Sequence, residues 1–200
     1  MKAATAHLRK ADPVLAQIIK RVGPCVLITR EPTFETLARS ITFQQLHAKA
    51  AATIFERVRK LVGRRFTAAS FLKHTPEELR ACGLSRQKIA SLTDLAERVV
   101  RREINFRTLP SLEDEAIIEL LSQVRGVGVW TAQMFLMFAL ERRNVMPLSD
   151  LGIRNAVRRA YALEDLPTPA DLLKLAEKWH PYRSIASWYL WRSLDGAAEL

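Results

Sequence analysis

The chain has 200 residues, 48% of them hydrophobic, which is enough for one packed domain or two small lobes. Its 31 Lys and Arg outnumber 21 Asp and Glu, and because they are spread through the sequence we expect a polyanionic partner and no single polybasic membrane tether. Two distant cysteines and four histidines without metal-ligand spacing argue against a disulfide framework, an iron–sulfur cluster and structural zinc.

Most of the chain is predicted to be helical, with about ten helices and no confident strand. The clearest helix starts carry a capping side chain, often with proline at the first helical position: Asp12-Pro13, Thr75-Pro76, Ser85, Ser111 with Asp114, and Thr168-Pro169. Helical apolar spacing also runs over 34–45, 48–62, 151–161 and 181–194. The short apolar run at 25–28 has no partner strand in view and is predicted to be a buried connection.

The stretch 120–135 reads as a helix, a tight glycine hairpin and a second helix. Gly126 and Gly128 suit positive φ values and close backbone approach, so the first helix is predicted to end near Val124. An immediate second helix would leave the backbone N–H groups of 126–131 without helical partners, at the positive end of the helix dipole. Without a preceding strand or a following Lys-Ser/Thr, this anion site is not a nucleotide P-loop, and a phosphodiester is the better match.

A resemblance to a known family rests on the following stretches: Val124–Ala132 with Pro147–Asp150, Ser40–Ala51, Gly83–Lys88 and Pro181–Trp191. Together they are similar to the helix–hairpin–helix-Gly/Pro-Asp (HhH-GPD) superfamily of DNA glycosylases, and within it to the alkylbase (3-methyladenine) DNA glycosylase II family. The likeness covers almost the whole chain. It implies an all-α, two-lobed fold with the active site in the interlobe cleft. Lobe A would comprise about 1–32 plus 146–200, and lobe B about 33–145, including the helix–hairpin–helix at 113–140.

The resemblance makes Asp150 the catalytic candidate. Cleavage of an N-glycosidic bond builds positive charge on the deoxyribose, and a neighbouring carboxylate stabilises that charge, orients or deprotonates water, or does both. The alternative is that Ser149 or Asp150 only caps the helix beginning at Leu151.

Trp130 bears on both the reaction type and the substrate. Relatives that also nick the sugar backbone place a Schiff-base lysine at this position, and tryptophan has no amine, so the resemblance implies a monofunctional hydrolase without AP lyase activity. An indole face suits an alkylated base whose positive charge strengthens the π contact. Further pocket residues are expected, with core packing as the alternative for each aromatic one: Trp191, Met134, Phe43, Trp188 and Tyr182.

Two further groups of residues are expected to contact DNA. A flipped base leaves a hole in the duplex, and the resemblance assigns the wedge and minor-groove contacts to one turn: Gln44, Gln45, Leu46 and His47. Gln45 or Leu46 would fill the gap, and His47 would enter the minor groove or act as a surface helix cap. The hairpin is expected to hold phosphate, with a monovalent cation among its carbonyls left open: Arg125, Gly126, Val127, Gly128 and Thr131.

These expectations define a monofunctional DNA glycosylase of base excision repair. It would flip alkylated purines such as 3-methyladenine or 7-methylguanine out of duplex DNA and hydrolyse the glycosidic bond, leaving an abasic site. No cofactor or metal is expected, and with no apolar run near the ~20 residues of a membrane span, we expect a cytoplasmic or nuclear monomer. The alternatives are a glycosylase of this fold for deaminated or oxidised bases, a non-catalytic DNA-structure-binding protein, and a helical protein adaptor.

Overall fold

The protein is all-α in the part of the chain that the structure, a computed structural model, describes, namely residues 1–194. Twelve α-helices lie in this part: α1 Lys2–Ala11, α2 Pro13–Val22, α3 Phe34–Phe43, α4 Ala48–Val62, α5 Ala68–Phe71, α6 Pro76–Ala81, α7 Arg86–Val100, α8 Asp114–Ser122, α9 Val129–Phe138, α10 Leu151–Ala160, α11 Pro169–Leu175 and α12 Arg183–Arg192. Two short 3-10 helices cover Leu109–Ser111 and Ala176–Trp179. None of the helices within 1–194 is long and apolar enough to cross a membrane.

Most of the predicted helix starts are confirmed by their capping hydrogen bonds. Asp12 accepts from the amides of the first turn of α2, Ser85 caps α7, and Thr75 and Thr168 form capping boxes. The prediction for Ser111 is wrong, because α8 begins at Asp114 after Glu113 and the Ser111 hydroxyl instead donates to the Thr108 carbonyl. The short helices α1 and α5 were not predicted as helices.

The segment 25–28 is extended, and its predicted burial is wrong for every second residue. Val26 and Ile28 are 65% and 71% exposed, whereas Cys25 and Leu27 pack against the core. Successive side chains of an extended backbone point to opposite sides, so an apolar run of this kind covers the core with one face only.

The chain divides into two compact units. Among the described residues, the terminal unit joins 1–29 to 136–194, and the middle unit spans Arg30–Phe135. The predicted lobes divide after 32 and after 145, so their second boundary lies beyond α9, whereas the units divide within α9. The assignment of two functional lobes stays a prediction.

The terminal unit is built around α2 and α12, which pack on each other and on α1 and α10. Its buried centre contains a carboxylate, Asp12, whose Oδ2 accepts hydrogen bonds from Tyr161 and from Trp179 Nε1 at 2.8 Å, with Lys178 Nζ 3.1 Å away. Burial alone would raise the pKa of Asp12, but these hydrogen bonds and that of the Leu15 amide outweigh it and lower the pKa. The packing of α10 against α12 brings the start of α10 beside the end of α12.

The middle unit is organised by α7. Helices α3, α5 and α6 pack against it, and α4 packs against α3. Four phenylalanines form one aromatic cluster in this unit: Phe34, Phe55, Phe66 and Phe71. Because α3 and α7 are fixed to each other, the residues at the end of α3 and along α7 present a defined surface to the glycine hairpin.

Candidate functional site

The glycine hairpin connects α8 to α9, and its two glycines differ. Gly126 has φ +75°, and a Cβ at this position would lie 2.6 Å from Ser91 Oγ on α7, so both backbone and space require glycine. Gly128 has no positive φ, and a Cβ there would have no atom within 4 Å, so the prediction for this glycine is wrong. The Gly128 carbonyl accepts from the Ala132 amide at 3.1 Å and so precedes the first turn of α9.

Fewer hairpin amides are available for an anion than predicted. The Val127 amide donates to the Val124 carbonyl at 3.0 Å, within the turn between α8 and α9, so it has no helical partner, as expected, but it is already hydrogen-bonded. The Arg125 amide donates to Asp94 Oδ2 at 2.8 Å. The turn is thus closed by its own backbone just after α8 and is anchored to α7 through Asp94, and the phosphate contact expected of Val127 cannot come from its amide.

Gln44 is hydrogen-bonded to the hairpin. Its Nε2 donates to the Gly126 carbonyl at 3.0 Å and to Thr131 Oγ1 at 3.1 Å, although it was expected at the DNA wedge. Lys88 donates in turn to the carbonyls of Thr42 and Gln44, which satisfies groups left open where α3 ends. Burial lowers the pKa of Lys88.

The remaining turn residues are displayed towards solvent. Gln45 has φ +55°, Leu46 is 40% exposed, and His47 is exposed. His47 stands at the N-cap of α4 but makes no side-chain capping hydrogen bond, so the capping alternative is not realised. Exposure is what a wedge and a minor-groove contact require.

A cavity of about 550 Å³ in the middle unit brings together residues from three predicted groups. The pocket candidates Phe43, Trp130 and Met134 line it together with Gln44, Gln45, Gly126 and Thr131. Trp130 is 44% exposed, so part of its side chain lies at the surface. The sequence analysis missed two lining residues, Arg39 and Ser40, which lie four and three residues before Phe43 on α3.

Arg39 covers one face of Phe43. Its Cζ lies 3.7 Å from the ring centroid, so that face is not available to a base. Burial, with repulsion from Arg30, lowers the pKa of Arg39, which nevertheless remains charged as arginines do. Arg39 is the one charged side chain among the described residues that line this cavity.

Asp150 lies in the terminal unit, at the N-cap of α10. Its Oδ1 accepts from the Ile153 amide at 2.7 Å and from Trp191 Nε1 at 2.9 Å, and the residue is 8% exposed. The helix-capping alternative is therefore realised. Capping does not account for the second donor, which comes from α12, 41 residues along the chain. Two helices thus fix one carboxylate oxygen.

Trp191 and Trp188 line a second cavity, of about 280 Å³ and within the terminal unit. Phe138, Arg192 and the exposed Val26 and Ile28 complete its lining. None of these four was a predicted site residue, and the unbroken apolar run at 25–28 does not indicate which of its faces points outward. Tyr182, also predicted for the base pocket, packs edge to face on His7 with ring centroids 5.4 Å apart.

The charges near the hairpin are mixed. Arg125 lines an open groove with Arg98 and Asp94, among others, and Arg98 is paired with both Asp94 and Glu103.

Within residues 1–194 no group of three or more His, Cys, Asp or Glu side chains is placed to hold a metal ion.

Comparison with known proteins agrees with this architecture. Residues 38–181 match the family model described as HhH-GPD superfamily base excision DNA repair protein. DNA-3-methyladenine glycosylase 1 of Schizosaccharomyces pombe is 37% identical over 196 residues, covering 95% of this chain and 86% of that protein.

Two solved structures share the fold over nearly their whole length. The 3-methyladenine DNA glycosylase Mag1 of S. pombe, in complex with abasic DNA, superposes with a TM-score of 0.86 at 36% identity and covers 99% of each chain. A DNA-3-methyladenine glycosidase from Bacillus halodurans gives a TM-score of 0.86 at 32% identity, covering 96% of this chain and 89% of that one. The chain therefore belongs to the HhH-GPD superfamily of base excision DNA repair proteins.

Proposed function

We propose that this protein is a monofunctional DNA glycosylase that releases alkylated purines, 3-methyladenine and 7-methylguanine among them, from duplex DNA. The observation that carries the proposal is the Asp150 carboxylate, whose Oδ1 is fixed by the Ile153 amide and the Trp191 indole. A catalytic group must be held in place to act on a short-lived charge, and two donors from different helices supply that rigidity. The names of the 3-methyladenine glycosylases to which the chain is similar support the same substrate class.

Asp150 does not have to protonate the leaving base. In a 3- or 7-alkylated purine the base already carries positive charge, so the bond from the ring nitrogen to C1′ breaks with its electron pair moving to the base, without a general acid. The carboxylate stabilises the positive charge left on the deoxyribose. Water then adds at C1′ and loses its proton to Asp150 or solvent, giving a free base and an abasic site.

DNA contacts are assigned to the middle unit. The start of α9 with Gly126, Gly128 and Thr131 binds a phosphodiester, and the exposed Gln45 and Leu46 fill the gap left by the flipped base. Arg125 and His47 add contacts to the backbone and the minor groove. Trp130 and Met134 form a wall for the base on the middle unit.

Trp130 also determines what the enzyme does after base release. An indole cannot form the imine that precedes strand cleavage, so the reaction ends at the abasic site. Borohydride should trap no covalent protein–DNA adduct with lesion-bearing DNA. The Trp130→Lys variant serves as the comparison for the trapping assay, because it introduces an amine at this position.

The central experiment is incubation of the protein with methylated duplex DNA, followed by mass spectrometry of the released bases. Wild-type protein should release 3-methyladenine and 7-methylguanine, and Asp150→Asn should release them at least 100-fold more slowly while still binding abasic DNA. The matched control is Asp171→Asn, which neutralises a first-turn carboxylate of α11 in the same unit. Near-native release by Asp150→Asn would remove Asp150 from the mechanism, and no release by wild type from any lesion would favour a non-catalytic DNA-binding module.

One observation favours a second candidate substrate class. Among the described residues, the one charge that lines the 550 Å³ cavity is the Arg39 guanidinium, which repels a cationic base and tolerates a neutral one. A glycosylase of this fold for deaminated bases such as hypoxanthine is therefore the runner-up. Release from hypoxanthine duplexes, measured beside methylated ones, separates the two.

The protein is proposed to act as a monomer, which light scattering on the free protein checks.

A further inference from the structure

Gly152 occupies the second position of α10, two residues after the carboxylate proposed to be catalytic. It is the one glycine inside an α-helix among residues 1–194. Glycine is among the poorest helix formers, and the backbone gives no reason for it here because its φ is not positive. The reason must therefore be sought in what surrounds the position.

The space that a Cβ would take is bounded by the two partners of one hydrogen bond. An ideal Cβ on Gly152 would lie 3.1 Å from Asp150 Oδ1, 3.2 Å from Trp191 Cδ1 and 3.4 Å from Trp191 Nε1. The indole Nε1 donates to that same Oδ1 at 2.9 Å. A methyl group would have to push the carboxylate or the indole by a few tenths of an ångström.

We infer that Gly152 is a positioning residue for Asp150: by lacking a side chain it lets the Trp191 indole reach over the start of α10 and fix the carboxylate oxygen. This inference rests on the proposed function. Asp150 cannot yield easily, because its Oδ1 also holds the Ile153 amide at 2.7 Å, one residue beyond Gly152. The indole is the partner that gives way, and it packs on Phe138, with ring centroids 6.1 Å apart.

A purely structural role makes a different prediction. If Gly152 only allows α12 to approach α10, alanine should lower stability, and it should lower base release and DNA binding in proportion to the loss of folded protein. If Gly152 positions Asp150, alanine should lower the chemical step alone. Alanine's better helix propensity offsets part of the crowding, so the fold is expected to survive.

The test compares Gly152→Ala with wild type in three measurements: single-turnover release of 7-methylguanine, affinity for an abasic-site duplex, and thermal stability. We expect the release rate to fall at least tenfold, the abasic-site affinity to stay within about twofold, and the melting temperature to stay within about 3 °C. Asn155→Ala on the same helix is the control for a change in helix propensity. Wild-type release by Gly152→Ala, or loss of rate matched by loss of folded protein, overturns the inference.

A second background keeps the test decisive if the single variant folds poorly. Trp191→Phe removes Nε1 and shrinks the ring, so a methyl at 152 no longer has an indole hydrogen bond to disturb, whereas the bond from the Ile153 amide to Asp150 Oδ1 remains in both backgrounds. Adding Gly152→Ala there should change the release rate less than threefold, whereas a further tenfold loss overturns the inference. If wild-type protein releases no base at all, it is the proposed function that fails.

Discussion

Replacing Gly126 with alanine should detach the hairpin from α7. Gly126 has φ +75°, and its Cβ would lie 2.6 Å from Ser91 Oγ and 3.4 Å from Ser91 Cβ. Ser91 cannot swing away freely, because it is 2% exposed and its hydroxyl donates to the Gln87 carbonyl at 3.0 Å. Either the serine or the hairpin must move.

Two costs add in this variant. A residue with a Cβ in the left-handed region costs about 1–2 kcal/mol, and forcing an extra group into a packed contact costs about 1–3 kcal/mol. We therefore expect Gly126→Ala to lower the free energy of unfolding by about 2–5 kcal/mol, which for a chain of this length lowers the melting temperature by roughly 4–20 °C. Displacing the hairpin should also break the bond from Gln44 to the Gly126 carbonyl and weaken DNA binding.

Urea unfolding and abasic-DNA binding measure the two effects. Adding Ser91→Ala to Gly126→Ala removes the Oγ and leaves only the 3.4 Å contact with Ser91 Cβ. The double variant should therefore recover the stability lost to crowding and keep only the loss from the backbone conformation, about 1–2 kcal/mol. Gly128→Ala is the matched stability control, because that glycine has no positive φ and open space around it. The reasoning is refuted if Gly126→Ala unfolds within about 0.5 kcal/mol of wild type, or if Gly128→Ala is destabilised equally.

Three further predictions concern single side chains. Lys88→Met should lower the free energy of unfolding by about 1–3 kcal/mol, because two carbonyls at the end of α3 lose their donor. Lys88→Arg is the control, and an unchanged urea midpoint for Lys88→Met would contradict the prediction. The lowered pKa of Asp12 means that its contribution to stability is present above its unfolded value near ~3.9 and is lost as the pH falls through the folded pKa. Asp12→Asn should therefore unfold more easily at pH 7 and lose less stability on acidification, and parallel curves of wild type and variant between pH 6 and 3 would refute this. Arg39→Met should raise release of cationic 7-methylguanine relative to neutral hypoxanthine by about threefold, since a like charge in the same cavity repels a cation by a fraction of the ~1 kcal/mol that two charges ~4 Å apart experience in water. An unaltered ratio would exclude Arg39 from selectivity.

Features fixed by neighbouring residues could be predicted from the sequence. The caps at Asp12, Thr75 and Thr168 were predicted because capping residue and amide lie within three positions of each other. The same holds for the N-cap position of Asp150 and the helix–hairpin–helix. The missed cap at Ser111 shows the limit, since a 3-10 turn competes for the same residues.

The partners of the candidate site residues were decided by tertiary structure. Gln44 was expected only to contact DNA and also holds a hairpin carbonyl 82 positions away, and Trp191 was expected only to line a pocket and also donates to Asp150 across 41 positions. The sequence alone determined most of the helices, the turn and an N-cap at the start of α10, because short-range hydrogen bonds and apolar periodicity specify them. Which amide is already satisfied, which aromatic face is covered and why position 152 lacks a side chain depend on helices packed side by side, and such contacts leave no local pattern in the chain.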